Sequence, residues 1–95
     1  MHLSMGEKIE YILSQNYPNP FNPTTSINYS IPLNAFVTIS IYDLLGRNVK
    51  TLVYENKLAG DHSLIFDASD IASGVYYYTI KANSFIETKK LIVLK

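Results

Sequence analysis

Hydrophobic and polar residues alternate along several short segments of the chain. Every second residue is apolar between Ser26 and Ile31, and the same alternation returns between Val37 and Ile41. A period of two is typical of a strand that buries one face and exposes the other. Other segments of strand-like composition are Ile9–Leu13, Val49–Tyr54, the region of Leu64 and Phe66, Val75–Ala82 and Phe85–Leu94. The pattern therefore predicts strands that recur about every ten residues.

Turn-forming residues separate these segments. Asp43-Leu44-Leu45-Gly46-Arg47 predicts a tight turn, in which Gly46 suits a position with positive φ. Further turns are predicted at Ala59-Gly60-Asp61 and Asn83-Ser84, and Asp67–Gly74 predicts a polar loop with room for one helical turn. A longer helix is not indicated, because no long stretch keeps a period of about 3.6 residues.

These observations favour an all-β fold, an immunoglobulin-like β-sandwich of about seven antiparallel strands. Its core should take every second residue of the strands. The predicted core residues are Ile27, Tyr29, Ile31, Val37, Ile39, Ile41, Leu64, Phe66, Tyr76, Tyr78, Ile80, Leu91 and Val93.

A proline-rich segment lies between the first two predicted strands and reads Asn16-Tyr17-Pro18-Asn19-Pro20-Phe21-Asn22-Pro23. Its prolines fix φ and remove amide donors, so the segment can be neither a helix nor a central strand. We expect a stiff, extended crossing. Such segments also bind aromatic grooves, but the interleaved asparagines favour side chains that bond nearby backbone and hold one folded crossing.

Composition excludes several classes of function. The 95 residues include eight basic and eight acidic ones, so no overall field attracts nucleic acid or an anionic membrane. The lack of cysteine excludes disulfides, cysteine-ligated zinc and thiol catalysis. No apolar run approaches the roughly 18 residues of a membrane helix. We interpret residues 1–8 as a leader or linker without the features of a signal peptide, and residues 9–95 as one domain.

The candidate chemical groups have structural explanations. His62 lies next to Asp61 on a predicted surface turn, far from His2 in the leader, so no serine–histidine–aspartate site is indicated. Asp67 and Asp70 could offer oxygens to calcium, but they lack the spacing and central glycine of a calcium loop and are expected to cap turns. We therefore predict no catalysis, no metal and no cofactor.

Tyr76-Tyr77-Tyr78 places one tyrosine on the opposite face of a strand from the other two. With Tyr76 and Tyr78 in the core, Tyr77 faces outward, where it could stack on a sugar or a protein partner. The chain has no tryptophan, the residue that sugar-binding platforms typically use. Core tyrosines with one outward cross-strand aromatic are the favoured interpretation.

Four motifs, in order, resemble one known family. The segment Gln15–Thr25 resembles the opening of the type A C-terminal sorting domain of the type IX secretion system. Tyr42–Arg47 resembles the strand-ending turn of that family, Ser73–Tyr78 its penultimate strand, and Lys89–Lys95 its closing strand. The resemblance covers about residues 12–95. The site residues that it implies are a sorting motif (Asn16, Tyr17, Pro18, Asn19, Pro20, Phe21, Asn22, Pro23), a turn motif (Asp43, Gly46, Gly74) and a C-terminal recognition strand (Lys89, Lys90, Leu91, Ile92, Val93, Leu94, Lys95).

The resemblance implies a domain at the C-terminus of a larger secreted protein of the Bacteroidetes or related phyla. Such domains carry cargo from the periplasm through the outer membrane of a Gram-negative bacterium to the cell surface, and a sortase commonly removes them. The implied partners are the outer-membrane translocon, the sortase and an upstream cargo domain, with no nucleic acid and no membrane span. Cleavage is expected within Met1–Glu10. The domain would not be an enzyme.

Two other functions stay open on the sequence alone. One is an extracellular immunoglobulin-like module for adhesion or carbohydrate binding, and the other is a structural spacer similar to the immunoglobulin-like part of a flagellar hook-capping protein. The closing strand bears on the choice. Leu91–Leu94 is apolar on both faces, which predicts a strand buried within the sandwich. In a sorting signal the same strand could also be recognised by strand addition.

Overall fold

The computed structural model describes residues 10–95, which form seven strands and no helix. The strands are β1 (Ile12–Leu13), β2 (Thr24–Ile31), β3 (Ala35–Tyr42), β4 (Asn48–Lys57), β5 (Gly60–Asp67), β6 (Gly74–Ala82) and β7 (Phe85–Val93). The predicted all-β fold is confirmed. Residues 1–9 lie outside the described residues; they comprise the predicted leader (residues 1–8, with His2) and Ile9. The domain boundary therefore stays a prediction.

The strands form two antiparallel sheets, ordered β1-β2-β5 and β4-β3-β6-β7. In the smaller sheet Ile27 of β2 lies opposite Leu64 of β5. In the larger sheet Ile39 of β3 lies between Val53 of β4 and Ile80 of β6. Because the inward faces of both sheets contribute to one hydrophobic cluster, the fold is the predicted immunoglobulin-like β-sandwich.

The core follows the alternation along the strands. All of the predicted core residues except Leu64 are buried, and Leu64 packs against them from a half-buried position. Buried residues that the prediction missed are Leu13, Phe21, Ala35, Val53, Ala68 and Ala82. Most of them lie at strand ends or in segments that are too short to display a period.

Several element boundaries differ from the predictions. The first strand contains only two residues, whereas β4 continues to Lys57. Gly60 and Asp61 begin β5 rather than forming a turn, because the turn lies one step earlier at Leu58-Ala59. The loop after β5 contains no helical turn, and its first residue, Ala68, is fully buried.

His62 is not the surface-turn histidine that the sequence suggests. It lies within β5 opposite Tyr29, and the two rings stack with centroids 5.1 Å apart. Its Nε2 is 2.7 Å from the carbonyl oxygen of Leu58. Stacking at the end of the core explains the histidine without a chemical role.

The last strand lies at an edge of the larger sheet, so it is not enclosed between two neighbouring strands. β7 has a neighbouring strand, β6, on one side only. The expected core role is nevertheless confirmed, because the side chains of Leu91 and Val93 are buried, while Leu94 is exposed.

The turn after β3 is the predicted one. Asp43 N–H donates to the Arg47 carbonyl and Gly46 N–H donates to the Asp43 carbonyl, each at 3.0 Å. The Asp43 carboxylate accepts the amides of Arg47 and Leu45 and the guanidinium of Arg47. These bonds, foremost the one from the Arg47 amide, hold the pKa of Asp43 below its usual range. Gly46 has a φ of 83°, which is the left-handed region.

Replacing Gly46 tests the backbone conformation of this turn. A Cβ at this position would meet no atom within 4 Å, so Gly46→Ala should destabilise the domain through its φ alone, by about 1–2 kcal/mol. Gly46→Asn should lose less, because asparagine tolerates left-handed φ. Urea unfolding of both variants measures the two losses, and equal losses would contradict this explanation.

Candidate functional site

The proline-rich region, here called the crossing segment (Gln15–Pro23), connects the two sheets. Near its start Tyr17 exchanges two main-chain hydrogen bonds with Ser26 of β2, at 3.0 and 2.9 Å. Near its end Phe21 forms a parallel pair with Val93 of β7. The segment therefore leaves the smaller sheet, contacts the edge of the larger sheet and returns to β2 in the smaller one. Its bends at residues 18–20 and 22–23 show that it is not the extended segment that the sequence predicts. All three of its X–Pro peptide bonds are cis.

Asn16 anchors the first half of the crossing segment. Its side chain is buried, and its Nδ2 donates to Thr25 Oγ1 at 3.0 Å and to the Pro18 carbonyl at 3.2 Å. Its Oδ1 accepts from Gln15 Nε2 at 2.6 Å. The predicted bonding of an asparagine to nearby backbone is thus realised at this position, and it closes the turn around Pro18.

Tyr78 connects this network to the opposite sheet. Its hydroxyl donates to the Ser14 carbonyl at 2.7 Å and accepts the Asn16 amide at 2.8 Å. The tyrosine is fully buried. Burial, partly offset by the bond from the Asn16 amide, raises the pKa of Tyr78 to about 12. The start of the crossing segment is therefore fixed to β6 through one hydroxyl group.

Phe21 anchors the second half of the segment. Its side chain is 3% exposed, and its ring lies 5.9 Å from that of Phe66 on β5. The residues between the two anchors, from Tyr17 to Pro20, are exposed. The segment is thus held at both ends by buried side chains, while its middle faces solvent.

The crossing segment covers the outer edge of β7 with hydrogen bonds. Phe21 N–H donates to the Ile92 carbonyl at 3.1 Å, and its carbonyl accepts the Leu94 amide at 3.0 Å. Asn19 Oδ1 accepts the Ile92 amide at 2.9 Å, and Gln15 Nε2 donates to the Lys90 carbonyl at 2.7 Å. The sorting motif and the recognition strand that the sequence suggested are therefore in direct contact.

The recognition strand has a buried face and an exposed face. Leu91 and Val93 point into the core, whereas Lys90 and Leu94 are exposed and Ile92 is half-buried. Lys90 lies opposite Tyr77 of β6 on the outer face of the larger sheet.

The remaining lysines of the strand are engaged with other residues. Lys89 forms an ion pair with Glu87 at 3.2 Å. Lys95 Nζ donates to the carbonyls of Ser69, at 3.0 Å, and Ile71, and its amide donates to Ser73 Oγ at 3.0 Å. The last residue is therefore held by the loop between β5 and β6.

The predicted site residues converge at one end of the sandwich. β7 ends beside the start of β6, with Val93 opposite Gly74. Asp43 and Gly74 line one shallow depression of about 260 Å³, together with Leu44, Arg47 and Tyr76 among other residues. Gly46 lies at the tip of the adjoining turn and is not part of that lining. The structure thus brings the sorting motif, the turn motif and the recognition strand together, with Gly46 at the periphery.

The chain enters the domain at the opposite end. The Tyr11 ring stacks on Phe85, with centroids 5.0 Å apart, and its hydroxyl accepts a hydrogen bond from Asn83 Nδ2 at 2.8 Å. Asn83 follows the last residue of β6, whereas Gly74 is the first. The length of β6 separates the two ends by about 26 Å.

Two residues of the site were not singled out from the sequence. Thr25 is buried at 2% exposure and donates from Oγ1 to the Pro18 carbonyl at 2.8 Å. Its position two residues before Ile27 in an alternating strand was the available signal. The role of Gln15 had no such signal, because its partner Lys90 lies 75 residues away.

Other predicted chemistry can now be located. The Asp67 carboxylate accepts the Ser69 amide at 2.9 Å and so caps a turn. The Asp70 carboxylate instead forms an ion pair with Lys50, with 3.4 Å between Oδ2 and Nζ. Within residues 10–95 no three metal-ligating side chains lie together and no helix is long and apolar enough to cross a membrane. Tyr77 faces outward as predicted and is 37% exposed.

Comparison with known proteins decides the family. A model of the secretion system C-terminal sorting domain matches residues 15–94. The chain belongs to this family. Searches among curated proteins and among solved structures found no match. The sorting domain is thus a signal of type IX secretion, which implies interaction with that machinery, a cargo in the same chain and a destination at the cell surface or outside the cell. The family is not one of enzymes.

The Tyr78 hydroxyl should contribute to stability through the crossing segment. Tyr78→Phe leaves the Ser14 carbonyl and the Asn16 amide without their partner, so the free energy of unfolding should fall by about 2–3 kcal/mol. Tyr77→Phe is the matched control and should change it by less than about 0.5 kcal/mol. Urea unfolding measures both variants, and equal effects would show that the hydroxyl network is unimportant.

The raised pKa of Tyr78 predicts a dependence of stability on alkaline pH. The unfolded state loses the tyrosine proton near pH 10 and the folded state near pH 12. The folded state therefore binds more protons in between, and stability should fall as pH rises through this window. Tyr29, whose pKa burial also raises, should add to the loss. The fall should be smaller in Tyr78→Phe, as measured by thermal unfolding from pH 8 to 12; an unchanged slope would contradict the assignment.

Proposed function

We propose that the sorting domain directs an upstream cargo across the outer membrane by the type IX secretion system, and that a sortase then removes the domain at the cell surface. The observation that carries this proposal is the convergence of the sorting motif, the turn motif and the recognition strand at one end of the sandwich. A partner that binds this end contacts all three in a single interface. The sequence positions of the motifs, spread over about eighty residues, give no such proximity.

The chain enters the domain at the end opposite the motifs, and this arrangement supports the same proposal. Tyr11 enters beside Asn83 at the far end, so an upstream cargo attaches away from the clustered motifs. The motif end stays accessible to the secretion machinery while the cargo is attached. A cleavage site within Met1–Glu10 precedes the first strand in sequence, so a cut there would leave every strand of the sandwich intact.

The residues proposed for recognition are the exposed members of the motifs. In the crossing segment these include Tyr17, which is 80% exposed, and the neighbouring Asn19. In β7 they are Lys90 and Leu94, because Leu91 and Val93 already fill the core. The same motifs thus supply both the fold and the surface that a translocon would read.

A carbohydrate-binding or adhesion module remains the alternative, with Tyr77 as its candidate contact. Tyr77 lies between Tyr42 and Lys90 across the sheet and is 37% exposed, so it does not stand free of its neighbours as a stacking platform does. Phe36 and Tyr54, which are more exposed, meet edge to face at 90° and offer no flat platform. The geometry therefore favours the sorting function over this alternative.

A reporter fused upstream of the domain tests the proposal in a bacterium that has the type IX system. Removal of Lys89–Lys95 should abolish surface delivery, but it also removes core residues. Lys90→Glu is therefore the decisive variant, because Lys90 is exposed and its replacement leaves the core intact. We expect surface reporter to fall at least tenfold, measured by labelling of intact cells.

Lys81→Glu provides the matched control, since Lys81 is an exposed lysine on the outer face of β6, one strand from the edge. Its fusion should be delivered normally, and both variants should unfold at the parental temperature. Normal delivery of the fusion that lacks Lys89–Lys95 would rule out the sorting proposal.

A further inference from the structure

Along β7 the amides and carbonyls of every second residue point away from β6, toward the outer edge of the sheet. Ile92 directs both its amide and its carbonyl to the crossing segment rather than to β6. Because strand geometry repeats every second residue, the main chains of Ile86, Thr88, Lys90 and Leu94 face the same way. The Lys90 carbonyl and the Leu94 amide are in fact bonded to the crossing segment as well.

The crossing segment covers only part of this edge. Its hydrogen bonds reach Lys90 through the Gln15 side chain, Ile92 through the Asn19 side chain and the Phe21 main chain, and Leu94 through the Phe21 main chain. The stretch Pro18–Asn22, which includes Asn19 and Phe21, is here called the edge cap. The edge at Ile86 and Thr88 lies beyond these bonds. Among residues 10–95 the crossing segment and the loops place no hydrogen bond on the outward main-chain groups of these two residues, and both side chains are exposed, so that an extended segment can pair with this stretch of β7.

The edge cap itself offers a poor surface for a further strand. Pro18, Pro20 and the adjoining Pro23 have no amide hydrogen, so the outer side of the cap cannot present a regular row of donors. A partner strand can therefore not add to the cap. It can pair with Lys90–Leu94 only if it takes the place of the cap.

We propose that the edge cap is a releasable cover, and that the partner's strand adds to β7 by displacing it. The inference rests on the proposed sorting function. The occupant is an extended segment of the secretion machinery that first pairs at Ile86–Thr88 and then replaces the cap along Lys90–Leu94. It regains the main-chain bonds that the cap gives up, because the same amides and carbonyls are used. Since Phe21 leaves the core together with the cap, the partner strand also has to place an apolar side chain where the Phe21 ring was buried.

The side chains of the edge define the chemistry of this partner strand. The outer face of β7 carries Ile86, Thr88, Lys90 and Ile92 in sequence, and all of these except the half-buried Ile92 are exposed. Side chains directly opposite each other on neighbouring strands interact. The partner should therefore place a carboxylate opposite Lys90 and apolar side chains opposite the two isoleucines.

A disulfide can lock the cap to β7 and so test its release. Phe21 pairs with Val93, so the next residues, Asn22 and Leu94, are neighbours and both are exposed. The chain has no cysteine, so Asn22→Cys with Leu94→Cys has one possible pairing, which forms in the oxidising periplasm. Surface delivery of a fused reporter should fall at least tenfold below that of either single variant, which carries one of the two side-chain changes without the bond.

The matched control locks the chain to β2 instead. Ser14→Cys with Asn28→Cys uses the main-chain-bonded pair immediately before the crossing segment, outside all three motifs, and leaves the cap free to leave β7. This variant should be delivered like the parent. Normal delivery of the oxidised Asn22–Leu94 variant would overturn cap release and leave the sorting function intact. Failure of the parental fusion itself would instead refute the sorting function.

Hydrogen exchange of the unmodified chain provides a second readout. If the cap opens on its own, the amides of Ile92 and Leu94 should exchange at least tenfold faster than those of Leu91 and Val93, which face β6. The oxidised lock should remove that difference. Equal exchange at all four amides in the unlocked domain would mean that the cap opens only on global unfolding, which overturns the proposal.

Discussion

The hydrogen bonds at the outer edge of β7 are the constraint on which the rest of the domain depends. An edge strand presents unpaired amides and carbonyls that invite pairing with other chains. Here Phe21 satisfies the Ile92 carbonyl, while the Asn19 side chain accepts the Ile92 amide. Pro20, which lies between them, has no amide to offer. The alternation of proline and asparagine thus covers an edge without creating a new one.

The same segment ties this edge to the core. Phe21 is buried beside Phe66 of the smaller sheet, and Asn16 is bonded to Tyr78 of the larger sheet. A change in either anchor therefore shifts the residues that cover β7. The crossing segment and β7 therefore fold as one unit, so a partner that bound both would require the folded domain.

Local sequence patterns were sufficient for the strands and their faces, but not for the order of strands in the sheets. Leu91–Leu94 is apolar throughout, which is the pattern of a central strand, yet β7 is an edge strand in which only Leu91 and Val93 are buried. The sequence around Asn16 indicates a turn residue, but it does not show that the Asn16 amide donates to the hydroxyl of Tyr78, 62 residues away. Gly60 indicates a turn, and it does have a positive φ of 132°, but it lies in the first position of a strand. Each error came from a contact that is distant in sequence.

The division of the motifs into buried and exposed residues bears on how such a signal can vary. Asn16 and Phe21 are constrained by the core, because each has partners in both halves of the sandwich. Tyr17 is largely exposed and takes part in the fold mainly through its main chain. Substitutions at such a position leave the free energy of unfolding nearly unchanged and alter only the surface offered to a partner. Variation in partner specificity is therefore expected at the exposed members of the crossing segment, whereas its anchors have to keep their size and their hydrogen-bonding groups for the edge of β7 to stay covered.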